Sequence, residues 1–229
     1  MTTRRRTARL AGALYLLWGL GGAFNLTYFP SAFIVRGDAA ATAARIAASP
    51  LLYRFAVVFD LMAGAFGIWM AVTFYELFKD VDRRQARLLV CLVLVQVAMG
   101  YALLLTQIAP LVLLNGGAYW SVFDRPQLEA LALGFLNLRA QGTGALSAYW
   151  GLWLLPLGVL TYRSGFLPRI LGVFLVAAGS AYLISTAAFF FYPAQYRLVF
   201  MILTVPAAAL GEAGLTGWLL IKGAREEAV

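Results

Sequence analysis

The chain has 229 residues, of which 62% are apolar and 12% charged, with a mean hydropathy of +0.82. An ordinary soluble domain carries about 25% charged residues, so composition excludes a soluble globular fold. A net charge of +8 with no His and one Cys further excludes His-ligated zinc or copper, bis-His haem, an iron–sulfur cluster, an internal disulfide and His-dependent catalytic triads.

The 28 charges are segregated along the chain. Six windows, 10–34, 55–75, 88–114, 140–162, 170–196 and 198–221, hold only two of them, Asp60 and Glu212. Each window exceeds the roughly 20 apolar residues that a helix needs to cross a bilayer. The fold class expected is therefore all-α, a polytopic six-helix membrane bundle forming a single domain over residues 1–229.

In chain order, Arg4-Arg5-Arg6 and the apolar run behind it have the look of a signal peptide. The run is too long for an h-region of about 7 to 15 residues, so it is read as a retained first span, 10–34. Asp38 then opens a run of strong helix formers stopped by Ser49-Pro50, which predicts a short outer surface helix over 38–49. The second span covers 53–78. The basic stretch 79–87 reads as a solvated inner loop, and the third span covers 88–114. After Asn115-Gly116-Gly117, Pro126 suits the start of a second surface helix over 126–138. Spans 140–162, 168–191 and 197–222 complete the chain. With the N-terminus inside, inner segments hold 12 Lys and Arg and outer segments 6. That imbalance predicts both termini in the cytoplasm. Because the basic residues sit at span ends, no nucleic-acid partner is expected.

Several blocks in order resemble one bacterial family. They are Arg9-Leu-Ala-Gly12, Gly37-Asp-Ala-Ala-Ala-Thr-Ala-Ala-Arg-Ile46, Leu51-Leu-Tyr-Arg54 leading to Asp60-Leu61, Arg163-Ser-Gly-Phe-Leu-Pro-Arg-Ile-Leu-Gly172 with Gly179 and Tyr182, and Gly211-Glu212 with Trp218-Leu-Leu-Ile-Lys-Gly223. The family is domain of unknown function 4386, and the resemblance covers nearly the whole chain. It implies a six-helix protein of the bacterial inner membrane and brings no established activity. Relatives often carry Phe-Phe-Gly-x-His where this chain reads Tyr149-Trp150-Gly151-Leu152-Trp153. A His-based mechanism would therefore not extend to it.

Polar residues at membrane depth carry the functional information, because a carboxylate at a helix centre costs roughly 2.5 to 3.5 kcal/mol and survives best facing the bundle interior. Helical spacing puts Asp60 on a stripe with Tyr53, Ala56, Gly64, Gly67 and Ala71, and Asn25 with Gly21 and Trp18. Gln96 and Gln107 share a face. Gly151 and Gly158 recur on span four, and Gly172 and Gly179 on span five. Counted at about 1.5 Å per residue, Asn25, Asp60, Gln107, Ser147 and Tyr182 form an outer polar layer, with Glu212 about 10 Å deeper. The expectation is an outward-opening polar cavity rimmed by Arg54, Arg139 and Arg197. Its ligand- or proton-binding candidates are Asp60, Glu212, Asn25, Gln107, Ser147, Tyr182, Arg139 and Arg54.

Each candidate has a structural alternative. Asp60 could serve as the partner of an interfacial Arg, the glutamines as interhelical hydrogen bonds, and the aromatic residues as packing and interfacial belts. Three functions stay open: binding or transport of a small molecule or lipid with proton linkage, an intramembrane enzyme using Asp60 and Glu212 as acid or base on an isoprenoid or lipid, and a structural or regulatory role. Enzymatic activity is not the leading expectation, and no residue is assigned a catalytic role. No metal or cofactor is expected, and the partners expected are membrane lipids and a small-molecule or lipid ligand. Oligomeric state is not readable.

Overall fold

A computed structural model describes residues 3–225, and every regular element among them is helical. Six helices are long and apolar enough to cross a membrane: α1 (Thr3–Phe33), α3 (Pro50–Phe78), α4 (Arg83–Leu114), α5 (Arg125–Arg163), α6 (Arg169–Phe191) and α7 (Pro193–Ile221). The short α2 (Ala39–Ala48) lies between α1 and α3. The chain is thus an integral membrane protein of six spans.

Helix starts follow the local chemistry. Asp38 caps α2 by accepting from the Ala41 N–H at 2.8 Å, and Asp82 caps α4 by accepting from the Gln85 N–H at 3.0 Å. Asp124 and Gln127 form a reciprocal capping box at the start of α5, with bonds of 2.8 and 3.0 Å. One expectation is corrected at α5. The surface helix placed at 126–138 and the span placed at 140–162 are a single 39-residue helix. Arg139, where the break was placed, has its charge met by a carboxylate, so nothing at that position forces the helix to stop. At about 1.5 Å per residue α5 is about 58 Å long, nearly twice the hydrocarbon thickness.

The chain divides into two compact units. The first takes its described residues from 3–17, 66–98 and 144–225, and the second from 18–65 and 99–143. In the second unit Phe29, Phe33, Ile46, Tyr53, Ala56 and Leu136 make a buried core. Arg45 Nη1 donates to the Ser31 carbonyl, tying α2 to the end of α1.

In the first unit α5 and α6 meet backbone to backbone. A Cβ on Gly151 would fall 2.5 Å from the Gly179 carbonyl oxygen, and one on Gly158 would fall 2.8 Å from that of Gly172. The seven-residue spacing on both helices is therefore an antiparallel glycine seam, which allows an approach that side chains would prevent. The Ser164-to-Arg169 junction packs Phe166 and Leu167 inward. The Phe166 carbonyl accepts from Arg225 N–H at 3.0 Å, and Arg9 Nη2 donates to the Ile221 carbonyl at 3.1 Å, satisfying an end of α7.

Three π-helical turns interrupt the spans: Phe24–Tyr28 in α1, and Phe200–Thr204 and Ala209–Ala213 in α7. The first two precede Pro30 and Pro206. Proline lacks an N–H and its ring crowds the carbonyl four residues back, here Leu26 and Ile202, so the preceding turn widens. Each π turn carries a polar side chain: Asn25, Thr204 and Glu212.

Candidate functional site

In the second unit, Asp60 of α3 is held by Arg139 of α5. The Nη2–Oδ2 distance is 2.7 Å, with the side chains 25% and 12% exposed. The same guanidinium donates from Nε to Gln107 Oε1 on α4 at 2.8 Å, and lies 5.8 Å from the Phe29 ring centroid. Tyr53, two stripe positions from Asp60, donates to the Gln107 carbonyl at 2.7 Å, in the turn before Pro110. The small residues beside Asp60 have a specific use. Gly64 leaves the space filled by the Tyr101 ring, whose hydroxyl donates to the Leu61 carbonyl at 3.1 Å.

Two buried amides of this unit are not hydrogen-bonded to completion. Asn25 and Gln107 are buried, yet Asn25 Oδ1 and Gln107 Nε2 have no hydrogen-bond partner among the described residues. Asn25 Nδ2 donates only to the Gly21 carbonyl of its own helix, at 3.2 Å. A buried polar atom left in that state costs about 1 to 3 kcal/mol. Arg54 is exposed and contributes none of these bonds. A groove of about 550 Å³ opens in the same unit along α5, between Phe123, Leu131, Phe135 and Leu138. Apart from Gln127 its walls are apolar, and none of the polar candidates lines it.

In the first unit, Glu212 sits on the π turn of α7. Its Oε2 accepts from the Tyr15 hydroxyl of α1 at 2.7 Å and its Oε1 from the Tyr182 hydroxyl of α6 at 3.0 Å. The sequence estimate set Tyr182 in a layer apart from Glu212. The structure joins them, because a tyrosine side chain spans more than a helical turn. Tyr15 was not among the candidates, although continuing the Asn25–Gly21–Trp18 stripe one turn backward reaches it. A short hydroxyl ladder lies in the same unit. Ser147 and Thr186 share a 2.8 Å bond, and Ser185 and Thr204 one of 2.6 Å. Thr204 carried no sequence signal beyond its place two residues before Pro206.

The candidates fall in both units. Asn25, Asp60, Gln107 and Arg139 belong to one unit, and Ser147, Tyr182 and Glu212 to the other. No group of three or more Cys, Asp or Glu that could hold a metal ion occurs among the described residues.

These features define a six-span helical membrane protein with a polar group in each of its two units. The chain belongs to the family described as Domain of unknown function (DUF4386), whose model matches residues 10–223. No curated protein and no solved structure matches it.

Proposed function

We propose that this protein binds a small polar molecule or a lipid headgroup at the Asp60–Arg139–Gln107 group and moves it across the bacterial cytoplasmic membrane, with proton exchange at Glu212. The observation that carries the reading is the incomplete bonding in the second unit. Gln107 Nε2 offers buried donors beside an ion pair that uses only Nη2 of Arg139 and Oδ2 of Asp60, and Asn25 Oδ1 of the same unit offers a buried acceptor. Most buried polar atoms of a structural cluster are closed within the protein. A polar ligand closes the open ones here on binding, and intramembrane ionisable groups of this kind commonly mark a substrate or proton path.

Native mass spectrometry of the protein purified in mild detergent is expected to show chain masses raised by a retained molecule. Asp60→Asn should lose that adduct. Identical adduct patterns in the two proteins overturn ligand binding at this site.

Proton exchange has its own readout. Infrared difference spectra are expected to show a neutral-carboxyl stretch whose intensity follows pH and which is missing from Glu212→Gln. Coincident spectra would leave Glu212 as an interhelical tie between Tyr15 and Tyr182.

The charge asymmetry supports both termini in the cytoplasm. In a Cys91→Ser background, cysteines replacing Asp38 and Asp124 should react with an impermeant thiol reagent in intact cells. Reaction only after permeabilisation reverses the orientation.

A further inference from the structure

We infer that Glu212 and the aromatic residues around it form a binding site for a lipophilic organic cation, an aryl-substituted amine or onium ion. This is a second site, built from residues of the first unit alone.

Glu212 is a carboxylate whose hydrogen-bond partners are two phenols, Tyr15 and Tyr182. Neither supplies positive charge. The chain has no His, and none of the ion pairs between described residues involves Glu212. A carboxylate at membrane depth without a countercharge is costly, so the site gains most from a ligand that brings one.

The surroundings specify which kind of cation. The Tyr15 ring packs edge-on against Phe74 and Trp153, at centroid distances of 6.0 and 5.5 Å. The Tyr182 ring packs against Trp150 and Phe200, at 5.7 and 6.5 Å. Ring faces attract a cation through their quadrupole, most strongly where water is excluded. A hard metal ion instead requires six or more oxygen ligands, and aromatic walls do not provide them. An organic cation satisfies both surfaces, placing charge at the carboxylate and apolar substituents against the rings.

The site is also unevenly covered. Tyr15, Phe74 and Trp153 are buried, which closes one side. Tyr182, Trp150, Phe200 and Glu212 itself are only partly buried. The less covered side of the site is therefore that of Tyr182, Trp150 and Phe200. The π turn Ala209–Ala213 contributes by aiming the Glu212 side chain between the two phenols, while Gly211 on the same turn lets the backbone lie against the Phe174 carbonyl.

The titratable groups facing Glu212 are Tyr15 from α1 and Tyr182 from α6, with Tyr196 of α7 beside Tyr182. Phe74 from α3 and Trp150 and Trp153 from α5 are not titratable. Protonating the carboxyl removes the charge that the cation pairs with, so proton and cation compete.

Tetraphenylphosphonium and its isosteric anion tetraphenylborate separate charge recognition from partition into detergent. Binding to the purified full-length protein, followed by equilibrium dialysis with each ion by itself, should be saturable for the phosphonium and lost in acid, with no saturable binding of the borate. Glu212→Gln should weaken it roughly tenfold or more, and Trp150→Leu roughly 3- to 30-fold. Equal binding of cation and anion by the wild-type protein overturns the inference without any variant. So does a folded Glu212→Gln protein with wild-type affinity. The result is separate from that of the adduct experiment, which reports on residues of the other unit.

Discussion

Replacing Arg139 by leucine is expected to destabilise the protein by roughly 3 kcal/mol, and replacing Asp60 by leucine in the same chain should restore most of that loss. The single change strands the Asp60 carboxylate, only a quarter exposed, and takes the donor from Gln107 Oε1. Removing one member of a buried pair costs about 3 to 5 kcal/mol, because the remaining charge is uncompensated. The low end applies here, since Asp60 keeps some accessible surface. The double change removes both charges and leaves two apolar side chains, which often costs little in such an interior. Unfolding followed in a denaturing-detergent titration gives all four corners of the mutant cycle. Additive losses in the double variant would show that the pair does not couple. The retained adduct should be absent from the double variant even where stability returns, which separates the structural duty of the pair from ligand binding.

The second large effect concerns the seam between α5 and α6. Gly158→Ala introduces a Cβ 2.8 Å from the Gly172 carbonyl oxygen and 2.7 Å from a Val176 methyl. Backbone cannot swing away as a flexible side chain can, so the two helices must separate. Overpacking of this kind costs about 1 to 3 kcal/mol, and Gly158→Val should exceed that range. Gly100→Ala is the matched control. It lies inside α4 with nothing within 4 Å of the added atom. There alanine should gain about 0.5 to 1 kcal/mol from helix propensity. Opposite signs for the same chemical change would place the seam at Gly158. Equal effects would mean that α5 and α6 do not pack backbone to backbone there.

Much of this architecture is legible in the sequence because the bilayer is a demanding solvent. Hydrocarbon forces backbone groups to pair within each span and drives charge to the ends. Six apolar windows therefore translate directly into six helices, and Asp38 and Asp124 mark caps through chemistry local to three or four residues. The same locality explains the stripes. Helical period alone puts Gly151 with Gly158 and Asp60 with Tyr53, whatever the partner helix.

Tertiary structure decided which faces meet. The glycines of span four and of span five are visible separately, but their register across the seam, 151 with 179 and 158 with 172, is not a local property. Arg139 reads as a rim charge and a helix break until Asp60 is seen to neutralise it, and that contact lets α5 run unbroken. Tyr15 became a partner of Glu212, 197 residues away in sequence, only through packing between helices. The π turns lie between these cases. Pro30 and Pro206 require some widening of the preceding turn, whereas the turn bearing Glu212 has no proline behind it. There the sequence determined that a carboxylate lies within a span, and the packing of α7 against α1 and α6 decided which hydroxyls meet it.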